Sequence, residues 1–253
     1  MQNSANNRKT GGRERFPICI GHRGAAGHAP ENTLLSMDRA LALGADWLEV
    51  DVQLARGGVP VVIHNRRLQD STADAGYVSL QEPQRMRHVD AGQGQHVPTL
   101  RELILHVNRR APLNIELKAP GSGAAVATLL SQLLGRQWQA RDFLVSSFDQ
   151  HELQAFASRL PQIRRGLLLA GIPLDYAAAA ERLGAWSINL HVDFVNPAFI
   201  ADAKTRALRI FVYTVNYPAD AQWLLELGVD GLFSDYPERI RQVIDTGIEE
   251  KVA

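Results

Sequence analysis

Cysteine is almost absent from this chain of 253 residues: Cys19 stands alone, so no internal disulfide can form and the fold must be held by burial and hydrogen bonding. It sits in the apolar triplet Ile18-Cys19-Ile20, the setting of an inert core thiol, and an unpaired thiol suits a reducing compartment. Net charge is absent as well, since 27 Lys+Arg face 27 Asp+Glu. Nothing draws such a chain to nucleic acid or to an anionic membrane, and any anionic ligand has to be met by a few local cations. No apolar run approaches the ~18 residues that span a bilayer, and the N-terminal residues carry no apolar signal segment. The expectation is a cytoplasmic protein with neither nucleic-acid nor membrane partners, whose polar and glycine-rich residues 1–15 form a flexible tail.

What the chain has is length and a rhythm. Its 45 % hydrophobic content can build one full α/β core, and residues 16–253 read as a single domain. Short β-rich runs alternate with amphipathic ones. The strand candidates are Pro17–Gly21, Asp46–Gln53, Leu113–Lys118, Phe143–Ser147, Arg164–Leu169, Ala185–Leu190, Ile210–Val215 and Gly231–Ser234. Helix-length segments such as Thr33–Leu43, Ala124–Trp138 and Ala219–Leu227 lie between them. This pattern predicts a TIM (β/α)8 barrel. Two departures stand out. Val59–Ile63 follows the second strand through only Arg56-Gly57-Gly58, too short for a crossover helix, so an antiparallel hairpin is expected. That turn would carry His64 back beside Glu49 and Asp51. The stretch from Asn65 to Pro98 is far longer than an ordinary barrel connection, and an insertion of about 65–98 is expected to wall a pocket.

Chemistry gathers at the predicted strand ends. His22 and Arg23 close the first strand, Glu49 and Asp51 the second, Glu116 and Lys118 the third. Residues two apart on a strand share a face, so Glu49 with Asp51, and Glu116 with Lys118, point the same way. Like carboxylates on one face repel unless a cation holds them, and an all-oxygen set suits Mg²⁺ or Ca²⁺. Arg23 and Lys118 can neutralise phosphate, by a planar fork and a point charge respectively. His22 and His64 can serve as general acid and base, because imidazole titrates near working pH. Together these groups describe metal-assisted phosphodiester cleavage. Taken alone, a Glu-x-Asp strand is more often half of a salt-bridge network. The convergence on one barrel mouth favours function. His88, His96, His106 and His151 are expected at the surface, and Glu31-Asn32-Thr33 as a helix start with Asn32 or Thr33 as its cap. The four tryptophans give no readable site.

The motifs His22-Arg23-Gly24 with Pro30-Glu31-Asn32-Thr33, Glu49-Val50-Asp51, Val61-Val62-Ile63-His64, Glu116-Leu117-Lys118, Ser146-Ser147-Phe148, Tyr213-Thr214-Val215-Asn216 and Phe233-Ser234-Asp235-Tyr236-Pro237 run in order through nearly the whole chain. In this the chain resembles the glycerophosphodiester phosphodiesterase family, bacterial cytoplasmic type. The resemblance implies a barrel with an insertion after the hairpin. It also implies hydrolysis of small glycerophosphodiesters, such as glycerophosphocholine and glycerophosphoethanolamine, to glycerol 3-phosphate and an alcohol. By position, Glu49, Asp51 and Glu116 look like metal ligands, His22 and His64 like the acid–base pair, and Arg23 and Lys118 like phosphate ligands, with a cyclic phosphate as intermediate; a monomer or homodimer is expected. Three positions depart from the family pattern: Asn65 replaces an aspartate, Asp70 an arginine and Tyr213 a tryptophan. A lysophospholipase D or sphingomyelinase D-like enzyme, or a non-catalytic phosphodiester-binding barrel, are the competing expectations.

Overall fold

The computed structural model describes residues 17–135 and 137–252; the tail expected over 1–15 lies outside them. In chain order the strands are β1 (Ile18–Gly21), β2 (Trp47–Ala55), β3 (Val59–Val62), β4 (Asp90–Gly92), β5 (Gln95–His96), β6 (Leu113–Leu117), β7 (Phe143–Ser147), β8 (Arg164–Leu169), β9 (Ser187–His191), β10 (Arg209–Tyr213) and β11 (Gly231–Ser234). The helices are α1 (Leu34–Ala42), α2 (Pro83–Met86), α3 (Leu100–Val107), α4 (Ser122–Leu133), α5 (Gln150–Ala157), α6 (Ala178–Arg182), α7 (Pro197–Thr205), α8 (Pro218–Glu226) and α9 (Pro237–Val252). Parallel strands run β1-β11-β10-β9-β8-β7-β6-β2, and β1 pairs with β2 to close the ring. This is a TIM barrel, with β3 as an extra antiparallel strand.

The seam between β1 and β3 positions the site. Early in β2, Trp47 and Leu48 pair with Ile20 and Gly21 of β1; late in β2, Val52 to Ala55 pair with Val62 to Val59 of β3. Between these pairings, the β2 edge at Glu49 to Asp51 faces no strand on that side. Backbone polar groups cannot be left buried without partners, and loop groups fill the gap: the Asp51 N–H donates to Asn32 Oδ1 at 3.0 Å and the Ile63 N–H to the Asp51 carbonyl at 3.0 Å.

Ile18, Ile20, Trp47, Leu144, Phe211 and Phe233 fill the barrel, with Trp186 stacked on Trp47 at a centroid distance of 6.1 Å. Trp47 thus belongs to the core, with Trp186 packed against it. Helices cover the outside on a second apolar layer that includes Cys19, whose Sγ reaches the Pro237 carbonyl. Residues 65–98 fold around a small cluster of their own, Leu68, Val78, Met86, Val89 and Val97, against Ala55, Val61 and Ile63 of the hairpin. Helix α4 ends earlier than its apolar run suggests: Leu134 is extended and Gly135 has φ +76°, so Trp138 returns to the core from a turn. Of the histidines expected at the surface, His106 is half-buried, its Nε2 within 2.9 Å of Asp38 Oδ2. Among the described residues, no helix is long and apolar enough to cross a membrane.

Candidate active site

Glu49, Asp51 and Glu116 meet where β6 and the barrel-paired part of β2, which runs to Val52, end, the face at which barrel loops present reacting groups. Asp51 and Glu116 are directly paired across the two strands. All three are buried, and each offers an oxygen within 4.8 Å of the others. Lys118 Nζ lies 2.8 Å from Glu116 and 3.6 Å from Asp51; Arg23 Nε lies 3.2 Å from Asp51 and its Nη1 2.8 Å from Glu31. Three carboxylates therefore face two cations.

The electrostatics follow. Burial, then the charges of Asp51 and Glu116, push Glu49 well above the ordinary carboxyl range. Burial and the charge of Asp51 raise Glu116 to about 7 despite Lys118. For Asp51, burial acts upward, but Arg23, Lys118 and His64 outweigh it and hold the carboxyl low. Lys118 and Arg23 are raised, their carboxylate neighbours overcoming burial. Glu49 Oε2 accepts from the Arg23 N–H at 2.7 Å, while its Oε1 is buried without a partner. A buried unpaired carboxylate oxygen facing two more carboxylates is the donor set of a hard divalent cation. The residues suit such an ion.

Both expected histidines come to this mouth. His22 follows β1, and its Nδ1 meets Asp235 Oδ1 at 2.7 Å. His64 follows β3 and comes beside Asp51, and Nδ1 meets Asn65 Oδ1 at 2.8 Å. Burial and the charges of Arg23 and Lys118 lower the His64 pKa, against the pull of Asp51. The loop after β1 turns tightly to aim His22 and Arg23. At Gly24, φ is +84° and a Cβ would stand 2.6 Å from the Ser36 carbonyl carbon, so no side chain is accommodated.

Four partners of these groups lie within the quoted motifs but carry no site role in the sequence reading. Asn32 is a wall of the site rather than a helix cap: its Nδ2 donates to Asp51 Oδ2 at 2.9 Å, and Thr33 caps α1. Glu31 holds Arg23, Asp235 holds His22, and Asn216 Nδ2 donates to Asp235 Oδ2 at 2.7 Å. The available signal was position, since Asp235 directly follows the last barrel strand. Tyr213 donates its hydroxyl to the Leu169 carbonyl and meets Phe148 and His191 edge-on at centroid distances of 6.0 and 5.4 Å. Asp70 pairs with Arg67 at 3.1 Å.

A profile of the glycerophosphoryl diester phosphodiesterase family matches residues 22–239. The chain belongs to that family. The phosphodiesterase is 33 % identical over 231 residues to YhdW of Bacillus subtilis, covering 87 % of this chain and 95 % of that one. It is 29 % identical to a glycerophosphodiester phosphodiesterase of Caldanaerobacter subterraneus, over 91 % of this chain and 98 % of the relative. Its fold matches that of an Oleispira antarctica phosphodiesterase solved with the product sn-glycerol-3-phosphate. The TM-score is 0.85 at 31 % identity, with 91 % of this chain and 97 % of that one covered.

Proposed function

We propose that this phosphodiesterase hydrolyses small glycerophosphodiesters, glycerophosphocholine and glycerophosphoethanolamine among them, to glycerol 3-phosphate and an alcohol. Glu49, Asp51 and Glu116 would hold Mg²⁺ or Ca²⁺. The observation that carries the reading is the crowding of three buried carboxylates within 4.8 Å beside Arg23, Lys118 and the two imidazoles. A divalent ion bound there supplies Lewis-acid polarisation of a phosphoryl oxygen. Arg23 and Lys118 neutralise the remaining phosphate charge and orient the diester. One imidazole of His22 and His64 takes the proton of the attacking hydroxyl, and the other returns a proton to the leaving alcohol oxygen. The attacking group in this reading is the substrate's own glycerol 2-hydroxyl. It yields a cyclic phosphate that water then opens, and holding it in line makes the first step intramolecular. The product bound by the Oleispira antarctica enzyme is the one this reaction releases. A cytoplasmic monomer or homodimer accords with the free, buried Cys19 and a small polar substrate.

The test follows glycerol 3-phosphate release from glycerophosphocholine with EDTA, then with Mg²⁺ or Ca²⁺ restored. Turnover lost to EDTA and regained with metal is expected; turnover indifferent to EDTA removes the metal from the reaction.

One feature favours a second, lipid-directed reading. Ile172, Leu174 and Tyr217 are 52, 105 and 67 % exposed and Phe148 is 45 % exposed, all on loops that follow β7, β8 and β10 at the mouth. An apolar rim of this kind could receive an acyl chain. Faster turnover of long-chain lysophosphatidylcholine than of glycerophosphocholine would select that reading.

A further inference from the structure

The two imidazoles of the site are backed unequally. His64 Nδ1 meets a neutral amide, Asn65 Oδ1, at 2.8 Å, whereas His22 Nδ1 meets a carboxylate, Asp235 Oδ1, at 2.7 Å. Asp235 is in turn locked. Its Oδ2 accepts from Asn216 Nδ2 at 2.7 Å, and Asn216 Oδ1 accepts from the Asp235 backbone N–H at 2.9 Å and from Ser234 Oγ at 3.1 Å. Ser234 Oγ also accepts from the Tyr236 N–H. A flipped Asn216 would turn its NH₂ against a backbone N–H, so its amide has one workable orientation. The Asn216 amide thus turns its one NH₂ on Asp235 Oδ2, and the Asp235 carboxylate, facing Asn216 and His22, can only accept. The proton of a neutral His22 ring therefore sits on Nδ1, leaving Nε2 free for a reacting group.

We propose that Asp235, locked by Asn216, is the positioning residue of His22, fixing its tautomer and ring orientation, whereas His64 Nδ1 is held by the neutral amide of Asn65. The inference rests on the reading of His22 as a proton carrier. Sheet register supplies the reason for the location. β1 and β11 are neighbours in the ring, with Gly21 paired to Ser234, so the residues that follow each strand face one another.

The isosteric Asp235→Asn variant tests this. Asn216 still presents NH₂, so the new side chain must turn its carbonyl to Asn216 and its own NH₂ to His22, which drives the ring proton to Nε2. With glycerophosphocholine and saturating divalent metal, kcat is expected to fall about 10–100-fold, the scale on which outer partners of functional imidazoles act. KM should stay within about twofold, as for a loss confined to the reacting step. Adding Asn216→Asp provides an acceptor for the new NH₂ and frees the carbonyl for Nδ1, so the double variant should regain about tenfold of the lost kcat. Nitrogen-15 NMR of His22 reads the tautomer without turnover: Nδ1–H in the parent and the double variant, Nε2–H in the single one. His22→Ala measured alongside separates the claims, since full turnover there overturns the proton-carrier reading. A slow His22→Ala enzyme, together with an Asp235→Asn enzyme of unchanged kcat and tautomer, overturns the positioning role.

Discussion

Glu49 and Asp51 stand two residues apart on one strand and are equally buried, yet their carboxyls are driven in opposite directions. The cause is partners rather than depth. Asp51 receives Asn32 Nδ2 and lies beside Arg23 and Lys118, whereas Glu49 has a single backbone N–H on one oxygen and none on the other. Asp235 shows the same competition in a half-buried setting: burial acts upward, but hydrogen bonds from His22 and Asn216 and the charge of Arg23 hold its carboxyl below the ordinary range. A carboxyl depressed in the folded state adds stability that is complete above its unfolded pKa, about 3.9, and is lost as pH falls toward the folded value. Asp235→Asn should therefore cost stability near neutral pH, and the cost should shrink as pH drops below about 4. Urea unfolding of both proteins across an acid pH series measures this. A difference that does not vary with pH would mean that the carboxylate charge contributes nothing.

The hairpin of β2 and β3 shows what an element adds to its residues. Gly57 and Gly58 have φ of +76° and +75°, and a Cβ at either would meet nothing within 4 Å, so their requirement is conformational rather than steric. Gly58→Val is expected to destabilise by roughly 1–2 kcal/mol, the cost of a left-handed backbone for an L residue; a urea midpoint equal to the parent's would refute it. The hairpin was legible because three residues cannot carry a crossover, and the strands because each is a short β-rich run bounded by turns. Two-residue alternation likewise exposed Glu49 with Asp51 and Glu116 with Lys118. What alternation could not reveal is pairing between distant segments. Asn32 lies 19 residues from Asp51, and His22 lies 213 residues from Asp235, and only ring closure joins the second pair. The end of α4 was misjudged for a related reason: Trp138 is buried like a helix residue, but reaches the core through the turn at Gly135.

At the scale of the whole molecule, the barrel concentrates three carboxylates against two cations at one mouth, an arrangement that folding alone does not favour. Bringing buried like charges together raises the free energy of the native state, as the upward shifts of Glu49 and Glu116 express, and a divalent ion binding only the folded chain would offset that cost. Ligand held at 100 times its Kd stabilises by about 2.7 kcal/mol, and for a chain of this size 1 kcal/mol moves Tm by about 2–4 °C. Saturating Mg²⁺ or Ca²⁺ should then raise Tm by roughly 5–10 °C over the EDTA-treated protein. Glu49→Gln keeps the oxygen that accepts from the Arg23 N–H while removing one charge and the unpaired carboxylate oxygen. It should be at least as stable as the parent without metal and should lose most of the metal-dependent increment. Differential scanning calorimetry of the two proteins, with and without each ion, reads both effects independently of turnover. If the parent's Tm does not respond to either ion, the carboxylates are held by Arg23 and Lys118 alone. If Glu49→Gln responds as the parent does, the ion binds without Glu49.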